Sequence, residues 1–358
     1  MCWQGEREVT GRIKNIIISC LVITGCGLLL SLERIQEGRF SAYMPPDSLQ
    51  IPLKDQSVMD VLVKLGEEKP LHYIPEQNPD SVRMGKEIVY FGELKDGSNS
   101  RISKYFVCTD CHNQVLETDD PADESPERVL EYSMEKEIPF LPGATFYSMY
   151  NKEHWYNGDY EKKYGDLVKP TRDTLYNAIQ LCATECSQGR LMEPWEVRCI
   201  MHYYKSLELK VSDLVFTTSE INQLSFWVGK KNDKAIALIK SQYNQINEAH
   251  FGTSKIPKIE GYVPSFENGK YIYQAGCLHC HSPAKDITNF DLSMDILSFK
   301  FLTRKVDNYN HYSIPHITRY GTYAIVGRRQ YMPMYTYENM SEEQLLDLLH
   351  FVETKANE

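Results

Sequence analysis

The sequence predicts an all-α chain, in which two tandem helical domains are joined by a helical linker and preceded by an N-terminal membrane anchor. Three observations predict it. One five-residue pattern occurs twice, as Cys108-Thr109-Asp110-Cys111-His112 and as Cys277-Leu278-His279-Cys280-His281. A short glycine-led amphipathic segment precedes each copy: Gly85-Lys86-Glu87-Ile88 and Gly269-Lys270-Tyr271-Ile272-Tyr273. After each copy come a long irregular stretch, a methionine and an amphipathic helix, so the order of elements is itself duplicated. At 358 residues the chain is long enough for two domains with a core each.

Taken in order, residues 1–35 form a targeting or anchoring segment. Arg7, Arg12 and Lys14 precede an uncharged apolar run from Ile16 to Leu32, at the short end of what spans a bilayer. Within it, Ile23-Thr24-Gly25-Cys26 resembles a lipoprotein box, in which Cys26 would be lipidated. Residues 36–80, rich in Pro, Gln and charge, read as a tether. Residues 81–210 make the first domain, with short helices beginning at Gly85 and, from Pro194 to about Leu209, a helix bearing Trp195, Ile200, Tyr203 and Tyr204. Residues 211–262 are a linker with a helix from Asp233 to Asn247. Residues 263–358 make the second domain and end in a helix from Glu342 to about Thr354, bearing Leu345, Leu348, Leu349, Phe351 and Val352. Ser341 with Gln344 reads as its capping box, and Met340 with Leu345 as its hydrophobic staple.

C-x-x-C-H is the attachment signature of c-type haem. Two thiols one helical turn apart each form a thioether, and the next imidazole faces the iron. A zinc ribbon would place its second cysteine pair far closer than Cys111 is to Cys277, and a redox dithiol of thioredoxin type needs a βαβ setting. Two covalently bound haems are therefore expected, on Cys108 and Cys111 and on Cys277 and Cys280, with His112 and His281 as proximal iron ligands.

The order of helix, C-x-x-C-H, methionine and helix resembles the class I cytochrome c family over two blocks, about 82–210 and 263–358. The resemblance implies that the first and last helices of each block cross closely at a glycine, Gly269 against Phe351 and Gly85 against Tyr203 or Tyr204. It also implies the distal ligands. Arg319-Tyr320-Gly321 followed by Met332-Pro333 points to Met332, with Met334 as runner-up and His316 as a further candidate. In the first block the matching position is Met192, with Met149, His154 and His202 as alternatives. Methionine opposite histidine raises the potential and fills the sixth position, which suits a carrier rather than an enzyme.

The function so implied is a dihaem cytochrome relaying single electrons between membrane or periplasmic redox partners, on the outer side of a bacterial inner membrane. The net charge of −10 argues against nucleic acid and for partners with basic docking patches. Two alternatives are a haem subunit of a larger respiratory complex and a thiosulfate- or sulfur-oxidising dihaem enzyme. The latter would use a thiol among Cys182, Cys186 and Cys199; otherwise two of these are expected to pair as a disulfide. An insertion at about 113–175 carries acidic residues (Glu117, Asp119, Asp120, Asp123, Glu124, Glu127) and then aromatic ones (Phe146, Tyr147, Tyr150, Trp155, Tyr156, Tyr160). It reads as a solvated loop followed by haem-covering side chains, or as a docking face for a redox partner.

Overall fold

The computed structural model describes residues 52–246, 248–306, 312–322 and 332–358. The predicted anchor at 1–35, with Cys26, lies outside the described residues. Among the described residues the chain is helical, with isolated bridges but no β-strand, and no helix is long and apolar enough to cross a membrane. The all-α class holds.

Helix α1 is Val58–Lys64, α2 Pro79–Phe91, α3 Pro126–Lys136, α4 Tyr160–Tyr164, α5 Leu175–Leu181 and α6 Pro194–Ser206. There follow α7 (Thr218–Trp227), α8 (Asp233–Lys240), α9 (Phe266–Tyr271), α10 (Leu278–His281), α11 (Ile296–Thr303), α12 (Ile314–Tyr320) and α13 (Glu342–Ala356). Local chemistry accounts for their ends. Asn78 accepts the Ser81 N–H at 2.9 Å, Pro79 takes the first helical position, and left-handed Gly92 closes α2. At α13, Ser341 accepts the Gln344 N–H at 3.3 Å and Gln344 Oε1 accepts the Ser341 N–H at 3.0 Å. Met340 and Leu345 are buried beside this cap, as a staple requires.

The first core forms where α2 crosses α6, and the second where α9 crosses α13. Neither glycine begins its helix. Both sit inside it, at the crossing. A Cβ on Gly269 would overlap the Asp347 carbonyl and lie 2.8 Å from Phe351 Cβ, the partner the resemblance implied. A Cβ on Gly85 would instead overlap the main chain of Cys199, so Tyr203 and Tyr204 are not what that glycine admits. The second helix of each crossing carries a buried carboxylate, and that of Asp347 bonds across to α9. Asp347 accepts hydrogen bonds from Tyr262 Oη, the Ser265 N–H and Asn268 Nδ2, and Glu196 accepts from Asn99 and Arg190.

A third core unites the linker with residues before α2. Val58, Val61 and Leu62 are buried together with Leu224, Ile236 and Ile239, so the part of the expected tether that is described packs as structure. Helix α8 stops at Lys240 rather than Asn247. Beyond it the backbone bonds elsewhere: the Asn244 N–H donates to Pro121 O and Gln245 O accepts from Glu153.

The insertion is not a solvated loop. Helix α3 and the segment to Pro142 lie as a strap across the second core, where Leu130 and Phe140 are buried among Ile272, Tyr273 and Tyr335. The Phe140 N–H donates to Ala275 O at 3.2 Å, Tyr335 Oη to Phe140 O at 2.8 Å, and Gln344 Nε2 to Pro126 O at 2.6 Å. Much of the acidic stretch is tied internally, Asp119 to Arg128 and Glu124 to the buried Lys152.

Two substitutions test this architecture by chemical denaturation. Gly269→Ala forces a side chain into the α9–α13 crossing and lowers stability by about 1–3 kcal/mol. Phe140→Ala empties the strap's anchor and costs about 3–5 kcal/mol.

Candidate haem-attachment sites

The first C-x-x-C-H segment turns through a 3₁₀ helix, Cys108–Asp110, whose start is capped by the Asp110 carboxylate accepting the Val107 N–H at 2.8 Å. The turn brings Cys108, Cys111 and His112 onto the wall of one cavity of about 660 Å³, within the size range of cofactor sites. His112 Nδ1–H donates to Ala144 O at 2.7 Å, which leaves Nε2 as the nitrogen available to a metal. Gly143 makes room for this bond, since a Cβ there would lie 2.5 Å from Nδ1. Phe146 stacks on the imidazole at 4.5 Å, and Tyr204 stacks on Phe146 at 4.6 Å. Burial also depresses the imidazole pKa, favouring the neutral ligand form.

The second segment is reached differently. Helix α9 continues through a π-type turn, Ile272–Cys277, straight into α10, so Cys277, Cys280 and His281 sit on one unbroken helical run. His281 Nδ1–H donates to Phe290 O at 2.7 Å, again leaving Nε2. The same hydrogen-bond logic thus serves both histidines, with carbonyls from unrelated segments.

The chemistry of these residues fits c-type haem. Each site offers two thiols and an imidazole of fixed tautomer, and the first cavity adds flat aromatic cover from Trp155, Tyr156 and Tyr204. Burial pushes the Cys108, Cys277 and Cys280 thiols up to about 12, and Cys111 well above its ordinary value. They are therefore held as protonated thiols.

Met192 is buried in the wall of the first cavity, and Gln180 clamps its backbone from both sides, at 2.9 Å on N–H and 2.8 Å on C=O. The alternatives are engaged elsewhere. Met149 sulfur accepts the Trp155 indole N–H at 3.3 Å, His154 pairs with Asp173 at 2.8 Å, and His202 accepts the Asn78 N–H. Met334 is buried and lines this same first cavity. Met332 is half-buried, its backbone bonded in both directions to Thr322, and His316 stacks on Tyr320. The Arg319-Tyr320-Gly321 pattern acquires a role: buried Arg319 donates to the carbonyls of Tyr335, Thr336, Met340 and Ser341, fixing the segment that follows Met332.

The expected disulfide is absent from the described residues; Cys182, Cys186 and Cys199 are free. Cys199 is buried at the α2–α6 crossing against Gly85, whereas Cys182 and Cys186 face the first cavity. Gly143, Ala144, Gln180 and Phe290 escaped the sequence reading because each acts through main chain or through bare space. Most notably, the two C-x-x-C-H segments touch, with Cys280 Sγ directed at Asp110 O at 3.7 Å.

No curated protein and no solved structure matches the chain. Residues 266–356, from the start of α9 to the end of α13, match the family model of cytochrome c. This segment therefore matches a cytochrome c domain, which implies covalently bound haem c and is consistent with electron transfer.

Proposed function

We propose that this chain is a dihaem c-type cytochrome that relays single electrons between redox partners at the outer face of a bacterial inner membrane. In this reading Cys108, Cys111 and His112 hold one haem, and Cys277, Cys280 and His281 the other. Met192 and Met332 complete the two iron shells. The observation that carries the reading is the contact between the two attachment segments, which share one tautomer-fixing device and abut at Cys280 and Asp110. Haem supplies one-electron chemistry at each site. The residues would do the rest: the cysteines would hold the macrocycle through thioethers, Ala144 and Phe290 orient the imidazoles, and Met192 and Met332 would close the irons to small molecules. The apolar run at 16–32 serves as the anchor, and the acidic surface suits partners with basic patches.

Intact mass and haem-stained denaturing gels test the stoichiometry. The wild type is expected to carry two covalent haems. Cys108→Ser with Cys111→Ser, or Cys277→Ser with Cys280→Ser, is each expected to carry one, and a wild-type chain with a single haem refutes the relay. In Met192→Ala the spectrum of one iron is expected to lose its methionine signature while the other is unchanged.

The potential of the first centre is expected to vary with pH. Burial raises the Glu117 carboxyl to about 7, although Asn113 donates to it at 2.7 Å, and Glu117 lines the same cavity as His112. As pH rises through that value the carboxyl ionises, and its negative charge favours the ferric form, so the potential falls. Redox titration across this range checks it; Glu117→Gln flattens the dependence.

A further inference from the structure

Haem attachment leaves two cysteines of the first cavity unused. Cys182 and Cys186 occupy the first and last positions of a π-type turn that continues α5, one turn apart and on one face, and both line the cavity wall half-buried. Cys186 Sγ lies 3.4 Å from Tyr164 Oη and 3.8 Å from Tyr156 Oη, two phenols placed to donate to it. Tyr164 is supplied by α4 and Tyr156 by the loop before it, both within the insertion.

We propose that Cys182 and Cys186 form a redox-active dithiol that exchanges with low-molecular-weight thiols and disulfides, Cys186 being the attacking sulfur and Cys182 the resolving one. The surroundings assign these roles. Hydrogen bonds from Cys182, Tyr164 and Tyr156, together with the Lys163 charge, hold the Cys186 thiol below its ordinary range. Cys182 is raised, chiefly because it keeps the proton shared with Cys186, and burial raises Tyr156. One proton-poor sulfur thus stands among proton-rich donors, the opposite of the four attachment cysteines, whose thiols are all raised. Cβ atoms four residues apart on a helix stand about 5–6 Å apart, and a disulfide draws them to about 3.5–4.5 Å. Closure therefore tightens the turn, which makes the bond easily reduced.

The exchange balances without further reactants. The Cys186 thiolate attacks one sulfur of R–S–S–R, the S–S bond breaks, RS⁻ leaves with the electron pair, and Cys186–S–S–R forms. Cys182 then gives up its proton and attacks the Cys186 sulfur. A second RS⁻ leaves and takes that proton, and the Cys182–Cys186 disulfide closes. The protein dithiol is oxidised by two electrons and the small disulfide is reduced to two thiols. The reverse sequence admits electrons from small thiols.

The test uses the full-length haem-loaded protein, reduced, desalted without oxygen and exposed to oxidised glutathione. It is then quenched in acid, unfolded and labelled with N-ethylmaleimide for peptide mass analysis. Cys182 and Cys186 are expected to lose label together, at least about tenfold faster than Cys199, and to appear as a linked peptide. Cys182→Ser is expected to accumulate a glutathione adduct on Cys186, whereas Cys186→Ser forms an adduct on Cys182 about tenfold more slowly. Wild-type loss of label no faster than at Cys199, or adducts without the linked peptide, overturns the proposal, as does a faster adduct on Cys182. The same spectra count haem on the attachment peptides, so this result and the haem stoichiometry are judged separately.

Discussion

Two contacts of main chain on main chain, Gly85 on Cys199 and Gly269 on Asp347, set the positions of nearly everything else. Each lets one helix lie against another with no side chain between them, and at the second a buried carboxylate, Asp347, bonds across to the facing helix. The cores condense around these crossings, and the C-x-x-C-H cysteines take their place from the helices that cross. In the second core the link is rigid, because α9 runs unbroken into the segment that bears Cys277 and His281. In the first, α2 ends at Gly92 and the chain must travel to Cys108, so neighbours from 143 to 146 complete the positioning of His112.

The insertion explains how the first and second cores are held with their C-x-x-C-H segments in contact. Its first part covers the second core through Leu130 and Phe140; its later part covers the first cavity through Phe146, Trp155 and Tyr156. Tyr335, just past the Met332-Pro333 pair, reaches back to Phe140, and Arg319 secures the chain from Tyr335 to Ser341. Side chains that looked like surface acidity mostly satisfy partners within this arrangement, Lys152 and Arg128 among them. A buried ion pair such as Glu124–Lys152 is costly to break, so it contributes more to register than an exposed one.

Much of the fold was legible in the sequence because repetition and helical period leave plain traces. The crossing at Gly269 and Phe351, the capping box of α13 and the C-x-x-C-H segments all depend on residue type at fixed spacing. What escaped is what spacing does not encode. The carbonyls of Ala144 and Phe290 belong to no motif, since any residue there supplies the same acceptor. Gly85 was matched to an aromatic ring, while the structure sets it against bare backbone. The strap was read as solvent-exposed because its charges were visible and their partners, distant in sequence, were not.

The strap also has a consequence for how such a chain is inherited and handled. Because the lid of the second core is written inside the coding region of the first, the gene has no point at which it divides into two complete halves. A fragment that begins near residue 263 leaves its greasy flank uncovered, and a fragment ending near 210 carries a loose arm with nothing to grip. An ancestral doubling followed by this interlocking would make the pair obligatory: neither half is free to be lost, exchanged or repurposed alone.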